Sequence, residues 1–146
     1  ICVGRGVGAF PIRPLTLSVG DRRPLGVGAG SLALLAALPD AAVGRALKRN
    51  EAWLRDFPGF DAATLQGLVA ETRARGHAEN DGRIVAGMAG IAVAVPDAGG
   101  RPVAALSIAA IRDRMTAGRI PGLVEALRAE AAVVAAQLTQ PPVEAA

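Results

Sequence analysis

Aromatic and reactive side chains are scarce: tyrosine is absent, and the 146 residues hold one tryptophan, three phenylalanines, one histidine, one cysteine and, among 16 basic residues, one lysine. Each shortage removes a class of function. Single-stranded nucleic acid stacks on aromatic rings, and duplexes are gripped by clustered cations. Here the arginines are scattered singles and pairs (Arg22–Arg23, Arg73 and Arg75, Arg112 and Arg114), so nucleic-acid binding by this chain itself is not expected. Cys2 alone cannot close an intrachain disulfide, which suits a reducing compartment and makes the cytoplasm the expected location. His77 would have to carry any Ser–His–Asp or Cys–His chemistry, yet Gly76-His77 reads as a surface exit from a helix. The H-E-x-x-H, C-x-x-C, G-x-S-x-G and Walker A patterns are missing, so no catalysis, metal or cofactor is expected. No apolar run reaches about 18 residues and no basic-then-apolar leader opens the chain, so no membrane contact is expected.

What is present is a core-forming composition, 51% hydrophobic with 20% charged residues. A single domain of this length buries roughly 68–70% of its unfolded surface without disulfide or metal support. Glycine (18) and proline (10) fall short of a low-complexity composition, so ordered loops are expected. The pI near 10.4 reflects the use of arginine, since the net charge is only +3.

Leu15, Leu17 and Val19 alternate ahead of Gly20-Asp21 and predict a strand over Leu15–Val19. The Ala/Leu run Ser31–Leu38 predicts a buried helix stopped by Pro39. Asp40 is expected to cap a second helix from Ala41 to about Asn50, forming a short hairpin with the first. A third helix starts at Asp61, carries Leu65, Leu68, Val69 and Thr72, and closes at Gly76. Beyond His77 the apolar runs Met88–Val95 and Pro102–Ile111, joined by Asp97-Ala98-Gly99-Gly100, predict two antiparallel strands. Ile120, Leu123, Val124, Leu127, Ala131, Val134 and Leu138 recur at helical spacing and predict a long final helix ended by Pro141-Pro142. The order of elements argues for α+β, not βαβ alternation.

Gly28-Ala29-Gly30-Ser31-Leu32-Ala33 fits the G-x-G-x-x-A dinucleotide pattern, with Asp40 and Glu51 downstream as conceivable ribose partners. Its context is missing, because Asp21-Arg22-Arg23-Pro24 replaces the apolar strand that should lead into the glycines. A second reading is an anion site, in which free amides at the start of the Ser31–Leu38 helix receive a carboxylate or phosphate. A third is purely structural: Gly26, Gly28 and Gly30 permit a tight loop and close helix packing. Asn80-Asp81-Gly82 reads as a polar turn and Ser107 as a buried hydroxyl bonded to backbone, unless either faces a ligand.

As a set, Phe10-Pro11-Ile12, the block from Pro24 to Ala36, the segment from Arg75-Gly76-His77 to Asn80-Asp81, and Val103-Ala104-Ala105-Leu106-Ser107-Ile108-Ala109 resemble the effector-binding domain of IclR-type bacterial transcriptional regulators. The likeness runs in order over nearly the whole chain. It implies a GAF-like α+β domain, a curved antiparallel sheet flanked by helices, that senses a small organic acid and forms a homo-oligomer, a dimer or tetramer. It implies an effector-binding domain over residues 1–139, with its first strands truncated, and a tail over 140–146. Operator DNA would be a partner only through an N-terminal winged helix-turn-helix that this sequence does not contain.

Carried over by position, Gly28, Ala29 and Gly30 match the backbone cradle for the effector's carboxylate, and Ser107 matches a hydroxyl on the pocket floor. Asn80 stands where many relatives have an acid, Gly90 where some have cysteine, and Ala109 where some have a second hydroxyl. These departures make the implied pocket less polar and leave room for a larger or aromatic carboxylate. Leu15, Leu17, Met88 and Ile91 are the expected walls. The competing expectation is an interaction module that joins subunits, its pocket closed by its own side chains.

Overall fold

The computed structural model describes residues 1–9 and 17–139. Among these residues four α-helices and three strands follow in the order α1 (Ala29–Ala36), α2 (Asp40–Leu54), α3 (Ala62–Arg75), β1 (Ala78–Asp81), β2 (Met88–Pro96), β3 (Pro102–Ile111) and α4 (Ile120–Leu138). A single 3-10 turn, Arg112–Arg114, joins β3 to α4. The three strands form one antiparallel sheet in the order β1-β2-β3. A dinucleotide fold needs parallel strands joined by helices, so the glycine block is not a Rossmann fingerprint.

The sheet has a helix layer on each face. Strand side chains alternate, and β2 is apolar at almost every position because both of its faces are covered. Ala92 joins Leu32, Leu35, Leu65 and Phe60 in the core beneath α1 and α3, whereas Ile91, Val93 and Val95 meet Val124, Leu127 and Ala131 of α4. Residues that sit between the two cores along β2 thus decide which side of the sheet a function occupies.

Local signals set the helix ends. The Asp61 carboxylate accepts from the Thr64 N–H at 2.7 Å, and Gly76 ends α3 in the left-handed conformation, its N–H donating to Thr72 O. The start of α2 differs from expectation: Pro39 occupies the cap, and Asp40 is the first helical residue. There its carboxylate faces the positive helix end and pairs with Arg73 Nη1 at 2.6 Å. This helix runs past Asn50 to Leu54, which is buried in the first core. It packs against α3, so the expected α1–α2 hairpin is not its principal contact.

The expected strand at Leu15–Val19 is not formed over its described part. Leu17 and Ser18 are irregular and Val19 lies in a turn, with Ser18 N–H bonded to the Asp21 carboxylate. Leu15, like Phe10-Pro11-Ile12 and Pro141-Pro142, lies outside the described residues. Both β2 and β3 and the long helix α4 fall where the sequence pattern puts them.

Candidate functional site

The loop before α1 is built around Ser31. Its Oγ donates to Pro24 O at 3.2 Å and accepts from the Gly26 N–H at 3.0 Å, folding residues 24–31 back on themselves. Gly26 has φ +106°, and a Cβ there would lie 2.8 Å from Leu65 Cδ2 and 2.9 Å from Leu35 Cδ2. That glycine serves packing. Gly28, with φ +92°, is the cap of α1 and has no side-chain acceptor for the helix amides. Gly28 O accepts from Leu32 N–H, while the N–H groups of Gly28, Ala29 and Gly30 have no acceptor among the described residues. No acidic residue stands in the first turn.

That helix start opens on a cavity of about 850 Å³ that runs along β3. Gly28, Ala29, Gly30, Asn80, Met88, Gly90, Ser107, Ala109 and Leu17 all contribute to its lining. Register explains the grouping. Gly90 of β2 pairs with Ala109 of β3 and with Asn80 of β1, and Ser107 lies two residues along the same face. Gly90 admits the helix: a Cβ on it would meet Ile108 O at 3.4 Å and the Ala29 methyl at 3.5 Å. Ser107 sits beneath Gly30 and is exposed to the cavity, so the expectation of a buried hydroxyl bonded to backbone is corrected. Asn80 belongs to β1 and precedes the turn at Gly82; its Oδ1 is buried with no partner among the described residues.

Ile91 is a second correction. One residue further along β2 than Gly90, it points to the opposite face and packs under α4, away from the α1 face. His77 is a third: its side chain is only 13% exposed and its Nε2 lies 2.8 Å from Glu79 Oε1. Among the described residues no three His, Cys, Asp or Glu side chains group as metal ligands, and no helix is long and apolar enough to cross a membrane.

The sequence pattern did not single out Arg23, Ile84, Arg114 and Arg119, which also line the cavity. Arg23 Nη1 would be 3.6 Å from a Cβ on Gly28, and Ile84 Cδ1 would be 3.3 Å from it, so both flank the start of α1. The signal in the sequence was present but ambiguous: Arg23 precedes a buried proline, which anchors it, and reads equally well as loop.

Residues 13–136 match the family described as bacterial transcriptional regulator IclR C-terminal. The chain is similar in structure to a putative transcriptional regulator from Rhodococcus sp. RHA1, with a TM-score of 0.79, 23% identity, and coverage of 93% of this chain and 56% of that one. It is similar to the Agobacterium tumefaciens repressor BlcR (TM-score 0.70, 29% identity, 86% of this chain and 52% of that one). The C-terminal domain of the E. coli transcriptional regulator KdgR gives a TM-score of 0.73 at 26% identity, over 84% of this chain and 75% of that one. The chain therefore spans about half the length of the first two of these proteins. No curated protein matches it.

Proposed function

Since the chain belongs to the IclR family of bacterial transcriptional regulators, as its C-terminal domain, we propose that it is a non-catalytic sensor of a small organic acid. The observation that carries the reading is the cavity beside Gly28–Gly30, into which the start of α1 opens. Unpaired amides and the aligned peptide dipoles give that end of the helix a partial positive charge, which suits a carboxylate. Ser107 supplies a hydroxyl from β3 and Asn80 an amide from β1, on the other side of β2. Leu17, Met88 and Ala109 offer apolar contact for the remainder of the acid, leaving space for an aromatic ring. An interaction module with a filled pocket would lack such a space, so the cavity favours sensing over that alternative.

Sensing becomes regulation only if the acid prefers one arrangement of the protein over another, since equal affinity shifts no population. In the whole regulator the arrangement would be that of a homo-oligomer and of an N-terminal winged helix-turn-helix on operator DNA, acting in the cytoplasm. Isothermal titration of the 146-residue chain with a panel of small aliphatic and aromatic acids tests the first step. Saturable binding by at least one acid, lost on filling the space above Ser107, is the expected result. Uniform absence of heat from a folded sample removes the proposal.

A further inference from the structure

The cations carried on helices divide into those the fold uses and those it leaves to solvent. On α3, Arg73 pairs with Asp40, and Arg75 with Glu71 and Glu79. Arg128 of α4 donates to Gly76 O. On α2, Arg45, Lys48 and Arg49 are all exposed, and their side chains make no ion pair or hydrogen bond among the described residues. Spacings of three and four residues set the three on one side of the helix. That side looks outward, because Arg45 and Arg49 each stand two residues, about 200°, round from the buried Leu47. Like charges at this spacing repel, and no acid stands three or four residues from Arg45 or Arg49 to offset them. Trp53, the single tryptophan, lies four residues beyond Arg49 at the border of the same side and is 41% exposed. No residue of α2 lines the acid cavity, so this surface is separate from it.

We infer that the outer face of α2 docks an acidic segment of a partner protein, one in which carboxylates flank an aromatic or aliphatic side chain. Carboxylates relieve the repulsion among Arg45, Lys48 and Arg49, and a guanidinium takes them in pairs of parallel hydrogen bonds. The apolar side chain covers the exposed ring of Trp53. Tryptophan and arginine are the residue types that most often dominate binding between proteins. The backbone of a nucleic-acid duplex would meet the cations and leave the ring wet. A second copy packed by a two-fold axis would set the same three cations against these.

Trp53 makes the test specific to this face, because its emission reports its own surroundings alone. The 146-residue chain is titrated with the peptide Glu-Asp-Glu-Phe-Glu-Asp-Leu-Glu, and with the same peptide carrying glycine in place of phenylalanine and leucine. A saturable blue shift is expected, with the first peptide bound about tenfold more tightly than the second. The double variant Arg45→Gln/Arg49→Gln is expected to weaken the first peptide about tenfold, and raising salt to weaken it further. Arg22→Gln/Arg83→Gln, which removes the same charge elsewhere, should leave binding unchanged. Glutamine keeps helix propensity at exposed positions, so the α2 variant is expected to fold, and circular dichroism checks it. Absence of a saturable shift overturns the docking surface, as does equal binding of the two peptides or an equal loss in both double variants. Tighter response to a DNA duplex or to phosphatidylserine vesicles replaces the acidic partner with that surface, and a shift that grows with protein concentration alone replaces it with a second copy. None of these outcomes bears on acid binding in the cavity.

Discussion

Gly30 and Ser107 face each other across a methyl-sized gap: a Cβ on Gly30 would lie 3.6 Å from Ser107 Oγ and 3.7 Å from Ser107 Cβ. Both distances are ordinary van der Waals contact, and Gly30 has helical φ, so alanine fits without strain. Glycine within a helix is less favourable than alanine by about 0.5–1 kcal/mol. Gly30→Ala is therefore expected to raise stability slightly in urea melts while lowering acid affinity several-fold, because the new methyl occupies the approach to the amides and the hydroxyl. Unchanged affinity would place the acid elsewhere.

Gly26, four residues earlier, answers to a different constraint. Its positive φ excludes most side chains, and a Cβ would press on two buried leucines at under 3 Å. Gly26→Ala is expected to cost about 1–3 kcal/mol from backbone strain and overpacking, and to lower Tm by several degrees. A melt within a degree of the parent would show that the loop relaxes freely. The pair of glycines thus separates ligand space from core space within one loop.

This division was only partly legible in the sequence. Elements with strong periodicity or clear punctuation, α3 between Asp61 and Gly76 and the β2–β3 pair about Asp97–Gly100, fall where their residues place them. The glycine block gave conformational freedom but could not say which glycine faced Leu65 and which faced Ser107, since those contacts come from residues 39 and 77 positions away. Ile91 went to the wrong wall because an uninterrupted apolar strand has no polar residues to mark its faces. Leu17 and Val19 alternated like a strand, yet alternation needs a partner edge to become one. Arg23 and Arg119 carry no signal because an arginine outside a regular element, single or paired, reads as loop.

Arg73 reaches from α3 to close the end of α1. Its Nε donates to Ala36 O at 2.8 Å, its Nη2 to Leu38 O at 2.7 Å, and its Nη1 meets Asp40. The two carbonyl bonds satisfy acceptors left over at the helix end, whereas the ion pair is exposed, with Asp40 88% accessible. Loss of the carbonyl bonds in Arg73→Met is expected to cost about 1–3 kcal/mol. Asp40→Ala, which removes only the exposed pair and a first-turn acid, should cost under about 1 kcal/mol. Urea denaturation of both variants checks the ordering; equal losses would mean that the ion pair to α2, not the carbonyl caps on the end of α1, carries the contribution of Arg73.

Acid sensitivity follows from Asp61. The Thr64 N–H donates to its carboxylate and holds its pKa below the ordinary value of 3.8. A carboxyl group with a folded-state pKa below its unfolded value stabilises the fold above the unfolded pKa, and that contribution disappears as pH falls through the folded value. Asp97, in the turn between β2 and β3, behaves in the same direction, chiefly through the Arg101 N–H, so the parent protein loses stability from a helix cap and a turn as it is acidified. Asp61→Asn keeps a cap acceptor and removes the titration at that site. The difference in stability between parent and variant, measured by urea melts from about pH 7 down to about pH 3, should shrink as the pH drops below about 4. At the lowest pH a neutral Asn still accepts the Thr64 N–H, whereas a protonated Asp accepts it more weakly, so the difference is expected to vanish or reverse. A difference that stays constant across the range would mean that the Asp61 charge adds nothing to the cap, and the acid lability would then rest on Asp97.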